Sequence, residues 1–282
     1  MQFGINTFVW VSPLTTAAIT ALAPKVKALG FDVLELAIEG TDAIDVGAAR
    51  AALDTAGLGS VICGAFGPNR DLCSQDPAIR ANAVAYLRWC IDAAVGVGAT
   101  VVAGPMYSAV GKARLSDPAA RQAERERAIA GVAEAADYAA ARGVKLALEM
   151  LNRFETDLLN IVAQGLDFVA ATGKANVGLH LDTFHMHLEE KSSAAAIRLA
   201  GDRIFHFHAC ENDRGTPGSG QVRWDEIAQA LRDVRYAGPI VIESFTPDVQ
   251  EIARAVCIWR EIAPSQDALA EDGLRFLKGL LA

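Results

Sequence analysis

Short apolar runs alternate with longer stretches whose apolar residues recur at helical spacing, and the alternation continues to the end of the chain. The strand-like runs are FGINTFVW from Phe3, FDVLELAI from Phe31, GSVICGAF from Gly59, TVVAGP from Thr100, KLALEM from Lys145, VGLHLD from Val177, IFHFHA from Ile204 and PIVIESF from Pro239. Between them the spacing predicts helices over residues 15–29, 46–56, 77–97 and 118–141, with further helical stretches between the later runs. The longest carries the charged cluster RQAERER on its solvent side, and residues 265–282 read as one extra C-terminal helix. Most strand runs are continuously apolar, as expected when both faces of a sheet are buried. Gly30, Gly57, Gly98, Gly143, Gly173 and Gly238 each fall after a helical stretch and before a strand, where glycine supplies a left-handed stop without steric cost.

About eight strand–helix units predict an α/β fold, a (β/α)8 TIM barrel closed by parallel strands. With no linker, low-complexity segment or break in composition, one domain is expected over residues 1–282. An open doubly wound sheet would carry a glycine-rich phosphate loop after its first strand, and neither a GxGxxG nor a Walker pattern stands there. The apolar fraction of 52% is ample for a large core. A formal charge of −8, from 26 basic and 34 acidic side chains, argues against a nucleic-acid surface and suits a small neutral substrate.

The five cysteines form no CxxC pair, so neither a disulfide framework nor a thiolate zinc site is expected. The start, MQFGINTFVW, lacks the pattern of a signal peptide, and no apolar stretch approaches the roughly 20 residues that span a bilayer. A reducing, cytoplasmic setting without membrane partners is the expectation.

Chemistry concentrates at strand ends. Four successive runs close on Glu149, Asp182, His208 and Glu243. A barrel brings the C-terminal ends of its strands to one mouth, where barrel enzymes keep their active sites. Any one of these residues could be merely the first solvated position after the core. Four in consecutive strands, all of ligand type, point instead to a hard or borderline divalent cation. Strand periodicity supports this, because Leu181 and Phe207 turn to the helices if Asp182 and His208 turn to the axis. His180 and His206 share the inward parity and read as core histidines or as hydrogen-bond partners that orient a ligand.

The loops after these strands add candidates. LNRFE supplies Arg153 and Glu155, TFHMHLEE supplies His185 about one turn beyond Asp182, and the Gly/Pro-rich ACENDRGTPGSG supplies Arg214. Trp10, Phe66, Tyr107 and Phe245 fall at or just beyond strand ends, where aromatics either pack the rim or wall a pocket.

ALEMLNRFE, HLDTFHMHLEE, FHFHACENDRGTPGSGQVRWDEI and IVIESF resemble the D-tagatose/D-psicose (allulose) 3-epimerase family of xylose-isomerase-like barrels, and the likeness runs from GFDVLEL to AVCIWR. The resemblance implies a metal-dependent isomerase that inverts C3 of a free ketose such as D-tagatose, D-fructose, D-psicose or L-ribulose. It implies that Glu149, Asp182, His208 and Glu243 hold manganese, with cobalt or magnesium as substitutes. Glu149 and Glu243 would double as the acid–base pair, and Glu155, His185 and Arg214 would contact the C1–C2 end of the sugar. A homodimer or homotetramer is also implied.

Departures from the family pattern fall near the far end of the sugar. Val110 stands where several relatives place tryptophan, Asn6 where some carry phenylalanine, and Gly64 where some have cysteine. Competing activities on this scaffold are sugar or hydroxypyruvate isomerisation and inosose dehydration. A DNA-repair endonuclease would need more ligands and a basic face than five histidines and a charge of −8 provide. A non-catalytic sugar-binding barrel is disfavoured by the intact set of ligands and glutamates.

Overall fold

A computed structural model describes residues 1–114 and 116–281. Eight strands, β1 (Phe3–Asn6), β2 (Val33–Ile38), β3 (Gly59–Gly64), β4 (Val101–Gly104), β5 (Lys145–Glu149), β6 (Val177–Asp182), β7 (Ile204–Ala209) and β8 (Ile240–Ile242), pair in chain order into a closed barrel. Every pairing is parallel, including that of β8 with β1.

The helices are α1 (Thr16–Leu29), α2 (Val46–Ala56), α3 (Pro77–Val97), α4 (Pro118–Ala140), α5 (Val162–Thr172), α6 (Thr183–Glu189), α7 (Ser193–Ala200), α8 (Trp224–Asp233), α9 (Gln250–Ala255) and α10 (Gln266–Leu281). The extra C-terminal helix is therefore α10, and the last residue expected in it, Ala282, lies outside the described residues. No helix among the described residues is long and apolar enough to cross a membrane.

Two local expectations fail for identifiable reasons. FGINTFVW does not extend as one strand: β1 stops at Asn6 and Thr7–Val9 form a 3-10 turn. The Asn6 side chain accepts a 2.8 Å hydrogen bond from the Phe8 N–H, which stabilises a turn in place of extended chain. Five of the six glycines are left-handed, with φ between 65° and 95°, but Gly238 is not. After α8 the left-handed residue is Arg235, at φ 56°. Gly238 serves close approach instead, since a side chain there would collide with Tyr236, whose hydroxyl donates to the Pro239 carbonyl at 3.0 Å.

Strand alternation divides inner from outer residues. Leu181 and Phe207 are fully buried in the large cluster shared with the helices, Phe207 lying 6.1 Å from the Tyr236 ring. Val33, Val61, Ala103 and Ala147 form a separate cluster, joined by Phe205, that fills the lower part of the barrel. Phe205 and His206 are adjacent, yet both turn inward. The register between β6 and β7 steps by one residue at Leu179/His180, so that Leu179 pairs with Ile204 and His180 with His206. That irregularity brings His206 into the same layer as His180 and sets Asp182 opposite His208 above it.

Candidate active site

Glu149 ends β5, Asp182 ends β6, His208 lies near the end of β7 and Glu243 follows β8. Parallel closure brings all four to one mouth, and one ligand atom from each lies within 4.8 Å of the others. All are buried. Nδ1 of His208 stands 3.5 Å from Glu243 Oε2 and 3.8 Å from Asp182 Oδ2, without a hydrogen-bond partner. Arg214 Nη1 donates to both Asp182 Oδ2 and Glu243 Oε2 at 2.8 Å. Its backbone is left-handed, φ 65°, and its carbonyl accepts from the Ser244 hydroxyl at 2.7 Å. A non-glycine residue held in that region marks a conformation that the surroundings must enforce.

The electrostatics separate the two glutamates. Burial, followed by the charge of Glu243, holds the Glu149 carboxyl well above the usual carboxylate range. Burial acts on Glu243 in the same direction, but His208 and Arg214 outweigh it and leave Glu243 below that range. Burial depresses His180 well below its ordinary value and His185 to about 3, so both rings are neutral.

A carboxylate that the sequence reasoning missed lies beneath this cluster. Glu35, in the middle of β2, is fully buried. Its Oε1 lies 2.6 Å from His208 Nε2 and accepts a 2.6 Å hydrogen bond from Asn6 Nδ2. Its Oε2 is 2.5 Å from His206 Nε2, a close contact outside hydrogen-bond geometry. Burial would raise Glu35, yet His208 and His206 beside it hold it well below the carboxylate range. The available signal was a single acid interrupting the apolar run VLELAI at inward parity. His180 and His206 are wholly buried within the barrel, as a core placement requires, but His206 also faces this acid.

A cavity of about 750 Å³ opens over the cluster, and Glu149, Glu243, Glu155, His185 and Arg214 all line it. The His185 Nδ1 accepts from the Asn152 N–H at 3.0 Å, and its Nε2 is 3.2 Å from Arg214 Nη2 and 3.6 Å from Glu149 Oε1. The Asn152 side chain donates to Glu155 Oε1 at 2.7 Å, so one unanticipated residue sets both groups. Phe66 and Phe245 wall the cavity, together with Phe8, Gly64 and Val110.

Three expected wall residues do not line it. Asn6 is buried beneath, bonded to Glu35. Trp10 lines a different hollow and donates to Asp267 Oδ1 at 2.7 Å. Tyr107 is fully buried against Phe168, its hydroxyl donating to the Leu159 carbonyl at 3.2 Å. Trp10 and Tyr107 were placed by proximity to a strand end and Asn6 by the family resemblance, whereas the turn after β1, the bond to Glu35 and the packing of α5 decide where these side chains go. Arg153 pairs with Glu189 at 2.9 Å on the surface, away from the cluster.

Comparison with known proteins decides the family. The profile of the xylose isomerase-like TIM barrel matches residues 23–280. The L-ribulose 3-epimerase of Methylomonas sp. (strain DH-1) is 34% identical over 281 residues, covering 99% of this chain and 97% of that one. The chain belongs to the ketose 3-epimerase family. Another relative of this carbohydrate 3-epimerase, the D-psicose 3-epimerase of Agrobacterium fabrum (strain C58 / ATCC 33970), is 35% identical over 88% of this chain and 86% of its own. The crystal structure of D-allulose 3-epimerase from Methylomonas sp. in complex with D-allulose matches with a TM-score of 0.93 at 32% identity, covering 99% of this chain and 97% of that one.

The epimerase's buried cluster suits a divalent ion. It offers three carboxylates and one imidazole, a donor set for a hard or borderline cation. The Nδ1 of His208 has no hydrogen-bond partner and faces two carboxylates, so the neutral ring can offer its lone pair to such an ion.

Proposed function

We propose that this ketose 3-epimerase family member inverts C3 of a free ketohexose or ketopentose, with D-fructose/D-psicose, D-tagatose and L-ribulose as the candidate sugars. Glu149 and Glu243 serve as the acid–base pair. The observation that carries this is their placement: buried acids from strands that are not neighbours, facing one cavity. Glu149, Asp182, His208 and Glu243 hold a divalent cation, which we assign as Mn2+ with Co2+ or Mg2+ as substitutes. When bound, it supplies the Lewis acidity that withdraws charge from the oxygens flanking C3.

The C3 hydrogen lies beside the C2 carbonyl, so its removal leaves an enediolate. Inversion then requires one carboxylate on each face of the sugar, the first taking the proton and the second returning another. Arg214, His185 and Glu155 line the same cavity and hold the C1–C2 end of the chain. Phe66 and Phe245 exclude water from the reactive intermediate.

Aldose–ketose isomerisation on the same scaffold would move a proton between C1 and C2 instead. A panel of ketopentoses and ketohexoses, incubated with Mn2+ and scored by product identity, tests the proposal. C3 epimers are expected; aldoses or dehydrated products would replace it. A homodimer or homotetramer completes the assignment, for which the exposed apolar side chains of Phe154 and Trp259 offer contact surface.

A further inference from the structure

One fully buried acid of the barrel belongs to none of the roles above. Glu35 lies in an apolar strand, fully buried, and an ionised side chain in that position persists only when paired. We infer that Glu35 is a positioning residue: it fixes which ring nitrogen of His208 is presented to the cation, and holds the ring there. Glu35 has this role only if a cation sits at the cluster, as proposed above.

A carboxylate oxygen only accepts, so the 2.6 Å contact between Glu35 Oε1 and His208 Nε2 places the ring proton on Nε2. In the neutral ring Nδ1 then keeps its lone pair, and Nδ1 is the nitrogen without a partner, facing Asp182 and Glu243. A carboxylate behind a ligating imidazole sets the tautomer, orients the ring and raises its basicity.

The acid is itself held in place. Asn6 lies opposite Glu35 in the β1–β2 register and donates to Oε1 at 2.6 Å. The Asn6 carbonyl oxygen accepts from the Phe8 N–H, which fixes the amide so that its NH2 faces Glu35. The turn that ends β1 early thus supports a histidine on the far strand β7. His206 flanks the second oxygen and limits rotation of the carboxylate.

Two measurements test this. Mn2+ is titrated by calorimetry into metal-free wild type and Glu35→Gln, with melting temperatures recorded without metal. Glu35→Gln is expected to weaken Mn2+ binding by about tenfold or more, within the range of about 10–100-fold for such partners. A lower melting temperature with unchanged affinity would reduce Glu35 to a packing role and overturn the inference. Wild type that binds no Mn2+ would overturn the cation site itself, and this inference with it. The second measurement needs no variant: long-range 1H–15N correlations of 15N-histidine-labelled wild type loaded with diamagnetic Mg2+. His208 carrying its proton on Nε2 is the expected result. A proton on Nδ1 would overturn the inference even if Glu35→Gln failed to fold.

Discussion

Replacing Glu149 by glutamine isolates proton transfer from the other duties of the site. The amide has the shape of the acid and keeps one oxygen to offer a cation. The two histidines beside it, His185 Nε2 at 3.6 Å and His180 Nδ1 at 3.7 Å, are neutral, so neither ring loses a charge partner, and the effect on the cation is controlled by matching metal content. Glu243→Gln is less clean, because Glu243 Oε2 also accepts from Arg214 at 2.8 Å. What Glu149→Gln removes is the capacity to give or take a proton, worth about 10²–10⁴ in rate. At about 1.36 kcal/mol per tenfold, that raises the barrier by about 2.7–5.4 kcal/mol. With Mn2+ content matched to wild type, epimerisation of D-fructose should fall by at least about a hundredfold. In D2O the remaining base can still exchange the C3 hydrogen of one epimer without inverting it, so label should enter at most one epimer. Epimerisation within tenfold of wild type at equal metal content would refute the two-carboxylate scheme.

Three further outcomes follow from individual contacts. Asn152→Ala removes the 2.7 Å bond to Glu155, and loss of one such bond, about 1 kcal/mol, should raise KM about fivefold with little change in kcat. A fall in kcat with KM unchanged would assign Asn152 and Glu155 to the chemical step instead. Gly64→Cys places a Cβ 2.8 Å from the Phe66 ring, so the aromatic must shift. The expected costs are about 1–3 kcal/mol of stability, seen as a lower melting temperature, and an altered preference between ketohexoses and ketopentoses; no change in either would contradict this wall. Burial raises the Glu39 carboxyl, so folding disfavours its ionised form and the stability it contributes falls as pH rises above the ordinary value of 4.5. Glu39→Gln should therefore raise the melting temperature relative to wild type at pH 7.5 but not at pH 4, and a pH-independent difference would count against that sign.

The barrel and its metal-type cluster were legible because both depend on repeating or local features. Apolar runs of strand length, helical spacing between them and glycine stops suffice to specify eight βα units. Chemistry at a barrel mouth is displayed at strand ends, where Glu149, Asp182, His208 and Glu243 stand. What lay below the mouth was harder to see. Glu35 is separated from His208 by 173 residues, and only closure of β8 onto β1 makes β1, β2 and β7 walls of one interior. Asn6 was expected on the pocket wall because some relatives carry phenylalanine near the first strand; its amide instead turns inward to Glu35. Tyr107 was misplaced for another reason, since a position past a strand end does not say whether a ring turns to the cavity or to α5. The step in register at Leu179/His180, which puts Phe205 and His206 on one side, has no pattern in IFHFHA that would announce it.

Turnover of D-fructose in D2O by metal-loaded and chelator-stripped protein tests the central claim most directly, with the sugars separated and analysed for label. Mn2+-loaded protein should yield D-psicose carrying deuterium at C3, the stripped sample should yield none, and added Mn2+ should restore it. An aldose product, or equal turnover from protein verified to be free of metal, would contradict the account.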